Sequence, residues 1–415
     1  MTATFTEPTA FDKPARWLSI VGMGDDGRAG LSQTALTLID RAALVIGGRR
    51  HLDLLGPSRG EQRVWPVPLE AIMPDIIAHK GKPVCVLASG DPFWFGVGVT
   101  LTRHIPIAEM LVIPAPSSLS LAASRLGWAL QSAVTLGLNL PDTSPLIARH
   151  LHQGQRILAL ALDGTTPQQV ANLLTLHGFG ASRLWVLEAL GGPRETIRET
   201  TAQTFSLATV NPLNIIAVEV EAGPKARPIA FSAGLPDTYF DHDGQITKRE
   251  IRAVTLSSLA PAPGHLLWDV GLGCGSVAIE WLLSNDQTRA IGFERDDARA
   301  LRAVNNAIAL GVPHLQIKRG ATPAMFDGIE KPDAIFIGGG ATAPGLFDAC
   351  WSALKPGGCL VINAVTLETE ALVLSAFAQH GGSLIRIAID RAVTIGGKHG
   401  WRPAMPITHW VGHKP

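Results

Sequence analysis

The chain has 415 residues, of which 46% are hydrophobic and 17% charged, too long for one ordinary core and composed for two or three well-buried domains. Lys+Arg 35 balance Asp+Glu 35, which excludes a broadly basic surface for nucleic acid or membrane, so any anionic ligand must be met by a local cluster. Residues 1–15 read as a flexible tail, since Met1 to Lys13 carries acids and prolines without an apolar core, and no run reaches the roughly 18 apolar residues of a membrane span. Cys85, Cys274, Cys350 and Cys359 lack metal-ligand spacing. They are expected as buried, reduced thiols of a cytoplasmic protein that holds no metal.

Trp17 to Gly24 reads as a buried strand entering a glycine turn, and Leu31, Ala35, Leu38 and Ala42 follow at helical spacing behind Ser32. Ala43 to Gly48 is the next strand and turn, completing a β-α-β opening. Arg49-Arg50-His51 then forms either a solvated basic loop or a carboxylate site, because arginine forks pair bidentately with carboxylates. Strands Pro83 to Ala88 and Met110 to Pro114 end in Ser89-Gly90-Asp91-Pro92 and Ala115-Pro116-Ser117-Ser118, small and hydroxyl residues at the edge where α/β sheets meet ligands. Ser117 or Ser118 caps the helix Leu119 to Leu126.

Val21-Gly22-Met23-Gly24, Ser89-Gly90-Asp91-Pro92 with Phe95-Gly96-Val97-Gly98, and Pro116-Ser117-Ser118 with Ala122 to Gly127 resemble the signatures of the tetrapyrrole (corrin/porphyrin) methylases. The resemblance implies a two-lobed α/β fold over 16–222. It also implies an S-adenosylmethionine site bordered by Gly90, Asp91, Val97, Ser117, Ser118 and, on the strand Ile157 to Leu162, Leu162. Thr135-Leu136-Gly137-Leu138-Asn139 stands where members carry a segment like Ser-Leu-His-Gly-Arg, so the basic residue of that segment is missing. Arg183 to Glu188 and Asn214 to Val220 supply further strands of the second lobe. Residues 223–240, rich in glycine and proline with little periodicity, read as a linker to a second domain over 241–415.

In that domain Thr247 and Glu250 form a capping-box pattern before an apolar helical stripe. Leu266 to Val270 is a strand running into Gly271-Leu272-Gly273-Cys274-Gly275, and Val277, Ile279 and Leu283 continue at helical spacing. The next apolar run, Ala290 to Phe293, ends at Glu294, 23 positions after Gly271, where a nucleoside-binding fold places the acid that accepts from ribose hydroxyls. Ser276 to Ile279 supply no third glycine at the spacing of a nicotinamide loop. The loop resembles instead motif I of the class I S-adenosylmethionine-dependent methyltransferases, a Rossmann-like fold. Strands Leu315 to Lys318, Asp333 to Ile337 and Gly358 to Asn363 follow, ending in Gly320-Ala321-Thr322, Gly338-Gly339-Gly340 and Asn363. The three glycines are either a flexible turn or room for a bulky planar ligand.

Two unlike methyl-transfer modules in this order resemble the fused, decarboxylating precorrin-6Y methyltransferases of cobalamin biosynthesis. The resemblance implies one S-adenosylmethionine site per domain. In the N-terminal domain carbon 5 of precorrin-6Y would be methylated, and in the C-terminal one carbon 15, with loss of carbon dioxide from the carbon-12 acetate. In a similar segment of such enzymes Thr247 would touch the cofactor, with Gly271 to Gly275, Glu294, Ala321 and Thr322. Substrate contacts are expected from Arg49, Arg50, Lys248, Arg249, Arg252, Gly338 to Gly340 (Gly338, Gly339, Gly340), Lys398 and Arg402, and Glu368, His399 or Asn363 would serve the chemistry. The expected partners are the tetrapyrrole and further copies of the chain, met through the C-terminal domain, with neither nucleic acid nor membrane.

Overall fold

The computed structural model describes residues 16–415, and the tail expected over 1–15 lies outside the described residues. Two compact units are present, one formed by residues up to 141 with 153–226, the other by 142–152 with 227–415.

The first unit holds two five-stranded sheets. One comprises β1 (Leu18–Met23), β2 (Leu44–Gly47), β3 (Glu61–Val64), β4 (Val84–Ser89) and β5 (Met110–Ile113), all parallel in the order β3-β2-β4-β1-β5. Its central strands are buried on both faces, which is why they read as continuous apolar runs. The other comprises β6 (Val134–Leu138), β7 (Arg156–Ala161), β8 (Arg183–Glu188), β9 (Thr196–Thr201) and β10 (Asn214–Glu219) in the order β6-β7-β10-β8-β9, with only β6 and β7 parallel. This is the two-lobed α/β architecture expected of a tetrapyrrole methylase. Ser32 and Ser117 cap the helices Gln33–Arg41 and Ser118–Leu126, accepting from Ala35 N–H at 3.2 Å and Ser120 N–H at 3.1 Å.

The second unit is a seven-stranded sheet. It contains β11 (Leu266–Val270), β12 (Arg289–Glu294), β13 (Gln316–Arg319), β14 (Ala334–Ile337), β15 (Cys359–Ala364), β16 (Ser383–Ile387) and, after a separate hairpin of β17 (Asp390–Ile395) and β18 (Lys398–Pro403), β19 (Ile407–His413). The order is β13-β12-β11-β14-β15-β19-β16, parallel except around β19, the Rossmann-like class I arrangement. The order reverses beside β11, so the crevice at the carboxyl ends of β11 and β14 is the position where such sheets bind ligands.

The stretch read as a linker differs from that expectation. Residues from Arg227 onward belong to the second unit, where Ile229, Leu235 and Phe240 are buried in its core. Proline and glycine break the periodicity of this strap, but three apolar anchors and a buried ion cluster hold it. Arg252, on the helix Arg249–Leu259, is fully buried and pairs with Glu280 at 2.5 Å and Asp237 at 3.2 Å. It also donates to the carbonyls of Thr247 and Leu235 and lies 4.8 Å from the Phe240 ring centre. Glu280 in turn accepts from Gly234 N–H at 2.6 Å and Leu235 N–H at 3.0 Å. The expectation that Arg252 meets substrate is therefore corrected: its donors are spent inside the protein. Residues 142–152, read as part of the first domain, also belong to the second unit, with Arg149 paired to Asp286 at 2.7 Å and donating to the Leu283 carbonyl at 3.0 Å.

Removing one member of a buried ion pair strands the other. Glu280→Leu is expected to lower the stability of the second unit by about 3–5 kcal/mol. The double variant with Arg252→Met should recover most of that loss, as read from urea unfolding followed by tryptophan fluorescence.

Candidate functional site

Each unit has one large cavity at the carboxyl ends of its parallel strands. The first, of about 350 Å³, lies between the two lobes and is lined by Gly90, Val97, Ser117 and Ser118 together with Met23, Gly24, Asn139, Leu160 and Ala161. Backbone crowding explains its glycines. A Cβ at Gly90, where φ is +53, would sit 2.9 Å from the Pro116 carbonyl oxygen, and one at Gly22 would sit 1.9 Å from the Gly90 carbonyl oxygen. Asp91 does not line the cavity; its Oδ1 accepts from Phe93 N–H at 2.9 Å and turns the loop that carries Trp94 and Phe95 into the wall. Leu162 is 44% exposed beyond the end of β7 and also lies outside the lining, where Leu160 and Ala161 stand instead.

The basic triplet opens a helix, Arg49–Leu55, rather than a loop. Arg49 is exposed and does not line the cavity, whereas Arg50 and His51 do. Arg50 pairs with buried Asp25 at 2.9 Å and donates to Ser89 Oγ at 3.2 Å and to His51 Nε2 at 3.1 Å. With Nε2 accepting, the imidazole proton sits on Nδ1, which is buried and finds no partner among the described residues. Burial, helped by the Arg50 charge, pushes the His51 pKa down to about 4.

The second cavity, of about 950 Å³, is lined by Thr247, Gly271, Leu272, Gly273, Cys274, Glu294, Ala321 and Thr322 together with Lys248, Gly338, Gly339, Gly340 and Asn363. Glu294 is tied to the loop: its Oε2 accepts from Gly273 N–H at 2.8 Å, and its Oε1 from the N–H groups of Arg295 at 2.9 Å and Asp296 at 3.0 Å. Gly271, with φ +77, leaves no space for a side chain, since a Cβ would stand 2.9 Å from Gly339 N. The three glycines thus have different reasons. Gly338 packs against the Gly271 carbonyl, Gly339 faces open space and Gly340 adopts φ +72. Gly275 lies outside the lining, and its α-carbon position is set by packing near Ala303 and Ile279.

Asp269, at the end of β11, is the residue the sequence reading passed over. It is 1% exposed, accepts from Ala278 N–H at 3.1 Å through Oδ2, and leaves Oδ1 without a partner. Burial first, and the neighbouring Glu294 charge, push its pKa up to about 8, against the Ala278 hydrogen bond. Its signal was present, an acid inside an apolar strand directly before the glycines.

Thr247 is not a helix cap, because Lys248 occupies that position and Glu250 pairs instead with Arg391 at 2.6 Å. Lys248 approaches Asp237 at 3.8 Å, and Arg249 is exposed outside the lining. Lys398, His399 and Arg402 lie exposed on the β17–β18 hairpin, and Glu368 lies exposed in the first turn of the helix Leu367–His380; none of the four lines the cavity. No residue of β18 lines the cavity on either face of the strand. The cations that do line it, besides Lys248, are Arg295, Arg299 and Arg391.

Comparison with known proteins matches residues 18–206 to a family described as Tetrapyrrole (Corrin/Porphyrin) Methylases and residues 238–414 to one described as Precorrin methyltransferase domain. A Sinorhizobium sp protein named precorrin-6Y C(5,15)-methyltransferase (decarboxylating) is 52% identical over 395 residues, 95% of each chain. The chain belongs to this methyltransferase family. Two shorter relatives each match part of it. A Saccharolobus solfataricus protein named probable cobalt-precorrin-6B C(15)-methyltransferase (decarboxylating) is 37% identical over 154 residues, 36% of this chain and 77% of that protein. A Salmonella typhimurium cobalt-precorrin-7 C(5)-methyltransferase is 30% identical over 182 residues, 43% of this chain and 88% of that protein. No group of three or more His, Cys, Asp or Glu placed to hold a metal occurs among the described residues, and no helix there is long and apolar enough to cross a membrane.

The His51 shift has a sign that can be measured. Its pKa in the fold lies below the ordinary 6.5, so the unfolded chain takes up the proton first as pH falls. The first unit should lose stability as pH drops through 6.5 toward about 4, and His51→Gln should flatten that slope in thermal melts taken across the range.

Proposed function

We propose that the chain is a bifunctional S-adenosylmethionine-dependent enzyme of cobalamin biosynthesis acting on precorrin-6Y. The first unit methylates carbon 5; the second methylates carbon 15 and removes carbon dioxide from the carbon-12 acetate, giving precorrin-8X. The observation that carries this reading is the pair of separate glycine-walled cavities, one in each unit. The names of the relatives agree with it: the full-length one is named for both carbons, the two shorter ones for one each.

Both cavities fit the cofactor on their own geometry. In the second, the unpartnered Asp269 Oδ1 is an acceptor awaiting a cationic group, and Glu294 stands at the carboxyl end of β12 with one lone pair of Oε2 left for a ribose hydroxyl. Gly271 to Cys274, Thr247, Ala321 and Thr322 would hold the rest. In the first, Gly90, Val97, Ser117 and Ser118 border the cavity where the loops after β4 and β5 close on each other, a Cβ at Gly90 meeting the Pro116 carbonyl at 2.9 Å. When bound, S-adenosylmethionine supplies an electrophilic methyl group on a sulfonium sulfur.

The protein's own residues then have modest tasks. Enamine-like carbons of a reduced tetrapyrrole are nucleophilic already, so the walls need to orient the ring and exclude water rather than provide a strong base. Trp94 and Phe95, packed edge to face with centroids 6.1 Å apart, give the first cavity an apolar face for a planar ring, and Arg50 offers a guanidinium to a ring carboxylate. In the second, Gly339 leaves open space for the ring, while Lys248 and Arg391 stand at the wall for its carboxylates.

Incubation with S-adenosylmethionine and precorrin-6Y should give a product that has gained two methyl groups and lost one carbon dioxide, read by mass; a product lacking either change would refute the assignment. Calorimetric titration of the full chain should saturate at two cofactor equivalents. Glu294→Ala should weaken one of them by about 1–3 kcal/mol, the size of lost hydrogen bonds to a charged group, and leave the other unchanged.

Asp269 adds a proton linkage. Near neutral pH its carboxyl, with a pKa of about 8, holds a proton that a bound cation would expel. Cofactor affinity of the second unit should therefore rise with pH up to about 8, and the binding heat should depend on the ionisation enthalpy of the buffer. Asp269→Asn should abolish the buffer dependence.

A further inference from the structure

At the carboxyl end of β15 a chain of polar side chains, with Thr255 and His409 buried and Asn363 and Ser258 half-buried, ends on the second cavity. Asn363, which lines that cavity, is paired in register with His409 of β19. Thr255 Oγ1 donates to the Ile251 carbonyl at 2.8 Å, so it meets Asn363 as an acceptor, and Asn363 Nδ2 donates to it at 2.8 Å. That sets the amide orientation: Asn363 Oδ1 faces His409 Nδ1 at 2.7 Å, and Nδ1 must donate. His409 Nε2 is then the acceptor for Ser258 Oγ at 2.9 Å. His409 is 1% exposed and Thr255 0%, and burial pushes the imidazole pKa below its ordinary value, in the direction of a neutral ring. Among the described residues, each of these side chains has a partner within the chain of contacts, and one N–H of Asn363 has none.

The register pairs on one side, Val361 with Val411 and Ile362 with Trp410, are apolar, and Ala364 with Thr408 stands on the other. A polar pair among them stabilises the fold less than an apolar one would unless every group is satisfied, so its return is a fixed direction for the amide.

We propose that Asn363 seats the departing carboxylate of the substrate through its remaining amide N–H, and that His409 is the positioning residue that holds the amide in that orientation. This rests on reading the second cavity as the decarboxylation site. In that step the bond between the acetate methylene and the carboxylate carbon breaks. Its electron pair moves into a protonated imine of the macrocycle, carbon dioxide leaves neutral, and the methylene carbon afterwards takes one proton from solvent to become methyl. Negative charge leaves the carboxylate along this path. A guanidinium clamped on it would stabilise the starting state more than the transition state and slow the reaction, whereas a neutral N–H fixes its direction with little such penalty. The lining cations Lys248, Arg295, Arg299 and Arg391 are left for the other carboxylates of the ring, and Arg252 lies outside the lining, paired with Glu280 at 2.5 Å.

The test uses the full chain with S-adenosylmethionine and precorrin-6Y, reading methyl gain and carbon dioxide loss separately by mass. Asn363→Ala and His409→Phe are expected to slow carbon dioxide loss about tenfold to a hundredfold through kcat, with two cofactor equivalents still bound. His409→Asn, whose amide N–H stands near the place of Nδ1, should recover most of the rate. Carbon dioxide loss at the wild-type rate in Asn363→Ala overturns the proposal, and so does His409→Asn behaving no better than His409→Phe. A wild-type protein that methylates without losing carbon dioxide overturns the functional reading itself, a result distinct from both.

Discussion

The buried contact between Arg252 and Glu280 is the constraint on which the second unit depends. It joins three pieces that sequence separates: the strap around Leu235, the helix Arg249–Leu259, and the helix Ser276–Ser284 that follows the glycine loop. A fully buried guanidinium tolerates almost no displacement, because each donor left unpaired would cost several kcal/mol. Its direction is passed on. The first helix places Thr247 and Lys248 on the cavity wall and Thr255 beneath Asn363; the second fixes Glu280 and the backbone N–H that meets Asp269.

The two units answer one demand with different backbones. A ligand that must approach the main chain needs loops without side chains at the carboxyl edge of parallel strands. In the first unit the loops after β1, β4 and β5 meet, with Ala115 N–H donating to the Gly90 carbonyl at 3.2 Å. In the second the loops after β11 and β14 meet, at Gly271 and Gly339. Neither set of glycines tolerates a Cβ at its closest point, and that crowding is itself the reason the glycine motifs were visible.

Charge was harder to read than shape. Arg252, Lys398 and Arg402 looked alike in the sequence as cations near motifs, yet one is sealed in the core and two stand on an exposed hairpin. Glu368 and His399 also lie outside the lining, one exposed in the first turn of its helix and the other on a strand none of whose residues reaches the cavity. Asp269 and His409 went unremarked because each sits in an apolar run, where a lone polar residue signals only that something must satisfy it.

The sequence by itself determined the apolar central strands, the glycine turns after them, a serine cap at Ser117 or Ser118 and the presence of two unlike modules. All of these follow from local period, local sterics and hydrogen bonds within a few residues. The polar edge strands β3 and β9 and the strands from Ser383 onward were not legible in the sequence. Only the tertiary structure decided that 227–240 and 142–152 pack into the second unit, which acids and bases reach a cavity, and that Asn363 is held by a histidine 46 positions away. The division has a physical cause. Backbone conformation is set largely by neighbours in the chain, whereas the partner of a buried charge or amide is whichever group the folded layers bring within about 3 Å.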